Sequence, residues 1–191
     1  MLVCISMVIF GGPSSRSDAR ADQLVYSDSL LNGWENWSWA TVNLATASPV
    51  HSGSFSIGVT SENYQALYLH HNTFDTSPYA SISFWINGGP RGGQSIQIQA
   101  IRNGTAQQSI VLPDLSVDVW QQETISLKSL GVRSVSDFDG FWLQVRDSAL
   151  QPTFFVDDIR LITVPEPSAA CLFGLCVAVC SIGLKRRRAV K

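Results

Sequence analysis

Eight side chains in this sequence are of types that together grip a sugar: Tyr68, His70, Trp85, Gln97, Gln99, Trp142, Gln144 and Arg146. Aromatic rings stack on the C–H faces of a pyranose. Amides and a guanidinium exchange hydrogen bonds with its hydroxyls. Each of the eight occupies a polar-side position in a segment of period two. Leu67 and Leu69 alternate with Ala66, Tyr68 and His70, and Ile82, Phe84 and Ile86 alternate with Ser83 and Trp85. Ile96, Ile98 and Ala100 alternate with Gln97 and Gln99, and Phe141, Leu143 and Val145 with Trp142, Gln144 and Arg146. If those strands are neighbours, the eight share one surface. The same pattern also suits a solvated sheet face whose indoles pack beneath loops, although exposed indoles in a pair need a reason.

The residues point to binding rather than catalysis. The histidines are His51, His70 and His71, and the last two are adjacent on an expected strand, so they face opposite ways. The sequence has no nucleophile elbow, HExxH, phosphate-binding glycine loop or CxxC. Glycoside hydrolysis needs two carboxyls about 5–9.5 Å apart across a cleft. Asp157 and Asp158 are strand neighbours on opposite faces, and Asp137 and Asp139 lie in a turn-like stretch before Gly140. Trp34, Trp37 and Trp39 form a separate cluster. Trp37 and Trp39 share a face if the segment is extended, either as a binding platform or as large plugs at a core or edge.

The elements that must position these residues are strands. Besides the four segments above, strands are expected at Val25–Ser27, Ser54–Thr60, Ser109–Leu112, Gln121–Ser126 and Thr153–Ile162. Gly88-Gly89-Pro90 with Gly92-Gly93, and Asn103-Gly104, are turn signals between them. No stretch of the body has a helical period. The expected fold class is all-β, an antiparallel β-sandwich or jelly roll, followed by a single C-terminal hydrophobic helix.

Length and charge agree with one domain between two targeting ends. The 191 residues carry an overall charge of −2, but residues 22–164 hold 13 Asp or Glu against 6 Lys or Arg. So acidic a body excludes nucleic acid as partner, because phosphate contacts need a positive surface. Leu2 to Phe10 is an apolar run, and Ala19-Arg20-Ala21 offers a small-residue cleavage site, so residues 1–21 read as a signal peptide. The body spans residues 22–163. In residues 164–191, Pro165 and Pro167 stop any strand, an uncharged run covers 169–184, and Lys185 to Arg188 follow as a cationic stop. Snorkelling of Lys185 brings the run to the length of a membrane span, with the basic cluster held cytoplasmic. The cysteines, Cys4, Cys171, Cys176 and Cys180, all lie outside the body, which therefore has no disulfide.

The tail resembles the PEP-CTERM sorting signal of exported bacterial proteins, through Val164-Pro165-Glu166-Pro167, one hydrophobic segment and a terminal Arg cluster. That resemblance implies Pro165, Glu166 and Pro167 as the recognition motif and an exosortase as partner. It also implies passage through the inner membrane to the cell surface or extracellular matrix, including biofilm matrix. The body resembles the galactose-binding-like β-jelly roll of non-catalytic carbohydrate-binding modules. The resemblance rests on Val50-His51-Ser52-Gly53-Ser54-Phe55-Ser56, on Tyr79 to Trp85, on Val156-Asp157-Asp158-Ile159 and on the Trp-rich Asn32 to Trp39. It implies a polysaccharide ligand and a structural calcium. Asp157 or Asp158 would ligate that ion with Asp28 and carbonyls near Ser52 and Gly53, since a calcium shell wants six to eight oxygens. A buried carboxylate bonded to backbone amides is the alternative. The expected function is thus an exported, non-catalytic, carbohydrate-binding module, against a structural matrix protein with no soluble glycan ligand.

Overall fold

A computed structural model describes residues 21–164. The signal peptide expected at residues 1–21, save its last residue, lies outside that range. So do Pro165, Glu166, Pro167 and the helix expected at 169–184. The described residues form eleven strands: β1 (Gln23–Tyr26), β2 (Glu35–Asn36), β3 (Thr41–Thr46), β4 (Ser56–Thr60), β5 (Ala66–Phe74), β6 (Tyr79–Asn87), β7 (Ile96–Arg102), β8 (Thr105–Val111), β9 (Trp120–Ser126), β10 (Phe138–Val145) and β11 (Phe154–Thr163). They pair antiparallel into two sheets. One is six-stranded in the order β3-β4-β11-β6-β9, with β1 also on β11, and the other five-stranded in the order β2-β5-β10-β7-β8.

The expected all-β sandwich is the observed architecture. Nine of the strands match expected segments, four of which show clear alternation; β2 and β3 are additional. Both lie at sheet edges. β2 is two exposed residues long, and β3 buries Val42 and Leu44 only partly between exposed Thr41, Asn43 and Ala45.

Inner-facing side chains of the two sheets meet as one core. Ile57, Val59, Ile82, Phe84, Ile86 and Val156 of one sheet face Leu67, Leu69, Ile96, Ile98, Phe141 and Leu143 of the other, all 0–1% exposed. Each such side chain contributes about 1.5–3 kcal/mol on burial, which lets the sandwich stand without a disulfide among the described residues. Trp34 extends this core at one end, edge-on to Phe74, Phe138 and Phe141. Of the three N-terminal indoles it alone is a core plug.

The Asn103-Gly104 signal closes the β7–β8 hairpin, with Arg102 opposite Thr105 and φ of 44° and 72° at the two turn residues. The sheet order separates one strand from its expected company. β5, β7 and β10 are neighbours, but β6, which bears Trp85, is in the other sheet. Alternation reports that a strand has a buried face; it does not report which sheet the strand joins.

Candidate functional site: an aromatic face on the five-stranded sheet

Strand register assembles the site. Trp142 of β10 lies opposite Tyr68 of β5 and Gln99 of β7, and Gln144 lies opposite Gln97. His70 pairs with Gly140, and Arg146, just past β10, continues the ladder by donating its amide to Ser95 O. Seven of the eight expected residues therefore share the outer face of the five-stranded sheet. Trp85 does not. It lies on the outer face of the six-stranded sheet, opposite Asp157 of β11 and Gln122 of β9.

The chain after β2 adds two rings that sequence reasoning had left open. Residues 37–40 run along β5: Trp37 N donates to Tyr68 O, Ala40 N to Ala66 O, and Tyr68 N to Ser38 Oγ. That pairing puts Trp37 and Trp39 beside Tyr68. Trp37 stacks flat on His70, with centroids 3.5 Å apart and planes 9° apart. Trp39 meets Trp142 edge-on at 5.2 Å, and Tyr68 meets Trp142 edge-on at 5.7 Å. The result is a run of five rings, Trp37, His70, Tyr68, Trp142 and Trp39, in which Trp37 is 54% and Trp39 42% exposed. Gly140 makes room for it. A Cβ there would stand 2.9 Å from the Tyr68 ring and 2.5 Å from Leu69 O.

Hydrogen bonds fix the face before any ligand arrives. Trp37 Nε1 donates to Glu35 Oε2 (2.9 Å), Trp39 Nε1 to Tyr64 O (3.2 Å) and Trp142 Nε1 to Gln99 Oε1 (3.1 Å). Gln97 Nε2 donates to Gln144 Oε1 (2.8 Å) and Gln99 Oε1 (3.2 Å), Gln99 Nε2 to Gln107 O, and Gln144 Nε2 to Tyr64 O. Rings and amides so tethered lose little freedom when they meet a ligand, which is the main saving of a preorganised site. Gln97 Oε1 takes no donor from the described residues, and Arg146, exposed, donates to Ser95 Oγ at 3.2 Å.

Two carboxylates flank the His70 end. Glu35 lies 4.0 Å from His70 Nδ1, a buried atom with no hydrogen bond. Asp139 is buried, takes the Gly104 amide on Oδ2 at 2.6 Å and has no partner for Oδ1. Burial, with the Asp139 charge added, pushes the Tyr68 phenol up to about 12, so it stays a protonated donor.

The acidic residues expected around calcium are bonded otherwise. Asp28 Oδ1 accepts the amides of Ser54 and Phe55 at 2.5 and 2.8 Å. Asp157 Oδ2 accepts those of His51 (2.9 Å) and Ser52 (3.2 Å), while its Oδ1 takes the Asp158 amide (2.8 Å). Asp158 holds His51 Nδ1 at 2.6 Å and Ser52 Oγ at 2.7 Å. These oxygens face N–H and O–H donors, and among the described residues no three His, Cys, Asp or Glu side chains are grouped to hold a metal ion. The arrangement does not fit a calcium shell. The expectation that Asp157 and Asp158 face opposite ways also needs correcting. β11 bulges there, with Asp158 at φ 49°, so both carboxylates reach the 51–52 turn. Burial raises Asp157 above the ordinary carboxylate range, against the pull of its three amides.

No family model matches the chain. It is 30% identical over 143 residues to an endoglucanase of Dictyostelium discoideum; the match takes in 71% of this chain but 20% of that protein's length. Among solved structures it is similar to the family 11 carbohydrate-binding module of a cellulosomal cellulase of Clostridium thermocellum. That superposition has a TM-score of 0.55 at 16% identity and covers 78% of this chain and 98% of that one. It is also similar to a family 29 carbohydrate-binding module complexed with mannohexaose, with a TM-score of 0.50 at 15% identity over 74% of this chain and 90% of that one. A variant of that module complexed with cellulohexaose superposes with a TM-score of 0.50 at 14% identity, covering 74% and 89%. The body therefore has the β-jelly-roll fold of carbohydrate-binding modules.

Proposed function

We propose that this chain is a non-catalytic polysaccharide-binding module displayed outside the cell. The observation that carries the reading is the ring array from Trp37 to Trp39, held open on a sheet face with its amides already oriented. A run of flat apolar surfaces bordered by fixed acceptors and a guanidinium matches a chain of pyranoses, which alternates C–H faces with hydroxyls. The jelly-roll likeness, the hexasaccharides in the family 29 complexes and the endoglucanase match make cellohexaose and mannohexaose the first ligands to try.

Delivery is by the tail. Pro165, Glu166 and Pro167 mark the chain for an exosortase-type enzyme at the inner membrane, and the domain is passed to the surface or matrix. The domain suits tethering, because its two ends leave side by side: Thr163 N donates to Asp22 Oδ1 at 2.9 Å. Titration of the purified protein with the two hexasaccharides tests the binding, and assay for new reducing ends in the same mixtures tests for hydrolysis. Saturable binding without new reducing ends is expected. Absence of binding to these and to a wider glycan array would leave the structural-matrix reading in its place. The mass of the mature extracellular protein tests both processing points.

A further inference from the structure

At the Gln144 end of the aromatic face, residues Glu62 to Gln65 close a tight turn, with the Gln65 amide donating to Glu62 O at 2.8 Å. Both central residues are left-handed, Asn63 at φ 48° and Tyr64 at φ 60°. Two positive φ values inside a turn closed in this way are the type I′ pattern, which favours Asn followed by Gly. The chain uses that pair at 103–104, where the φ values are 44° and 72°. At 64 it has a tyrosine.

A side chain at that φ crowds its own backbone, so tyrosine is a cost to the fold here. The ring returns little of it: it is 54% exposed and stacks on no other ring among the described residues. The turn itself belongs to the site. Tyr64 O accepts both Trp39 Nε1 and Gln144 Nε2, so the ring is attached where the aromatic run meets the amide network. Strained residues persist where function repays them.

We infer that Tyr64 is a further pyranose-stacking subsite, lying beyond Trp39 and Trp142, through which the module distinguishes longer oligosaccharides from shorter ones. This rests on the carbohydrate reading of the face. The strain gives the test an unusual sign. Tyr64→Gly removes the ring and supplies the residue the turn prefers, so stability and affinity move in opposite directions.

The experiment compares wild type, Tyr64→Gly and Tyr64→Trp by calorimetric titration with cellotriose, cellohexaose, mannotriose and mannohexaose, together with thermal melts of each protein. Tyr64→Gly is expected to melt at or above the wild-type temperature. It should lose roughly fivefold in hexaose affinity while keeping its triose affinity, and Tyr64→Trp should hold the hexaose affinity. A lower melting temperature for Tyr64→Gly, an equal loss for triose and hexaose, or no loss at all overturns the subsite. Wild-type protein that binds neither hexaose nor any member of a wider glycan array overturns the carbohydrate reading and the subsite with it.

Discussion

On the outer face of the five-stranded sheet, Trp37 lies flat on His70 at 3.5 Å and is 54% exposed. On the outer face of the six-stranded sheet, Trp85 lies nearly flat on His51 at 3.9 Å, with Trp120 edge-on to the same imidazole. The same pair of rings has been put to two uses. What differs is the chain around the histidine. His70 comes from a strand and carries its indole outward, with only the exposed Glu35 carboxylate near its free nitrogen. His51 comes from a loop that folds down over the sheet and is pinned by Asp157 and Asp158. The first arrangement presents a ring, and the second covers one. Residue type alone does not separate an open ring face from a loop latch; the source of the covering chain does.

The latch side should give the largest stability change. Asp157 is wholly buried and accepts three backbone amides. Asp157→Ala leaves those donors without a partner, at a cost of about 3 kcal/mol, read as a lower denaturant midpoint. The amides already satisfy this carboxylate, so a chelator should leave the wild-type melting temperature where it was. A fall on chelation would restore the calcium reading and break the contrast between the two faces.

Paired truncations sharpen it. Trp142→Ala should weaken hexasaccharide binding at least tenfold, about 1.4 kcal/mol or more, with glycan affinity as the readout. Trp85→Ala should leave affinity alone and lower stability by about 1–2 kcal/mol, because His51 loses the surface it packs on. Equal effects of the two variants on binding would mean that the faces are not divided in this way.

How much of this was legible beforehand follows the same division. Period-two alternation located β5, β6, β7 and β10 and the polar side chains on them, because one-sided burial writes itself into spacing. Sheet membership is set by which strands pair across more than sixty residues of chain, as β6 does with β11, and no local signal encodes it; hence alternation alone does not separate Trp85 from the other seven. Spacing puts Trp37 and Trp39 on one face, but their role depends on the 37–40 segment running along β5, which the sequence around them does not announce. Tyr64 had a faint signal, an aromatic following Asn within Glu-Asn-Tyr-Gln. It becomes visible only once the φ values of that turn are known. The opposite-face expectation for Asp157 and Asp158 fails for a local reason: the bulge at Asp158 cancels the strict alternation on which it rests.

The smallest expected effect is on pH, and its sign can be worked out. The amides of Ser54 and then Phe55 hold Asp28 below its ordinary value of 3.8, and the hydrogen bonds from Arg102 do the same for Asp137. A depressed folded-state value means stability that is fully present above 3.8 and lost as pH falls through the lower value. Burial raises Asp157 and Glu123, and a raised acid works the other way: its contribution is greatest below the unfolded value and is lost as pH rises through the folded one. On acidification the two pairs therefore oppose each other, and because Asp28 is exposed and Asp137 half-exposed, solvent keeps their share small. Melting temperature should fall only gently below about pH 4. Asp28→Asn combined with Asp137→Asn should abolish that fall or reverse it, since the raised acids then act alone. If the double variant loses stability in acid as steeply as wild type, the acid-sensitive groups lie elsewhere than the Asp28 contact to the 54–55 amides and the Arg102–Asp137 pair.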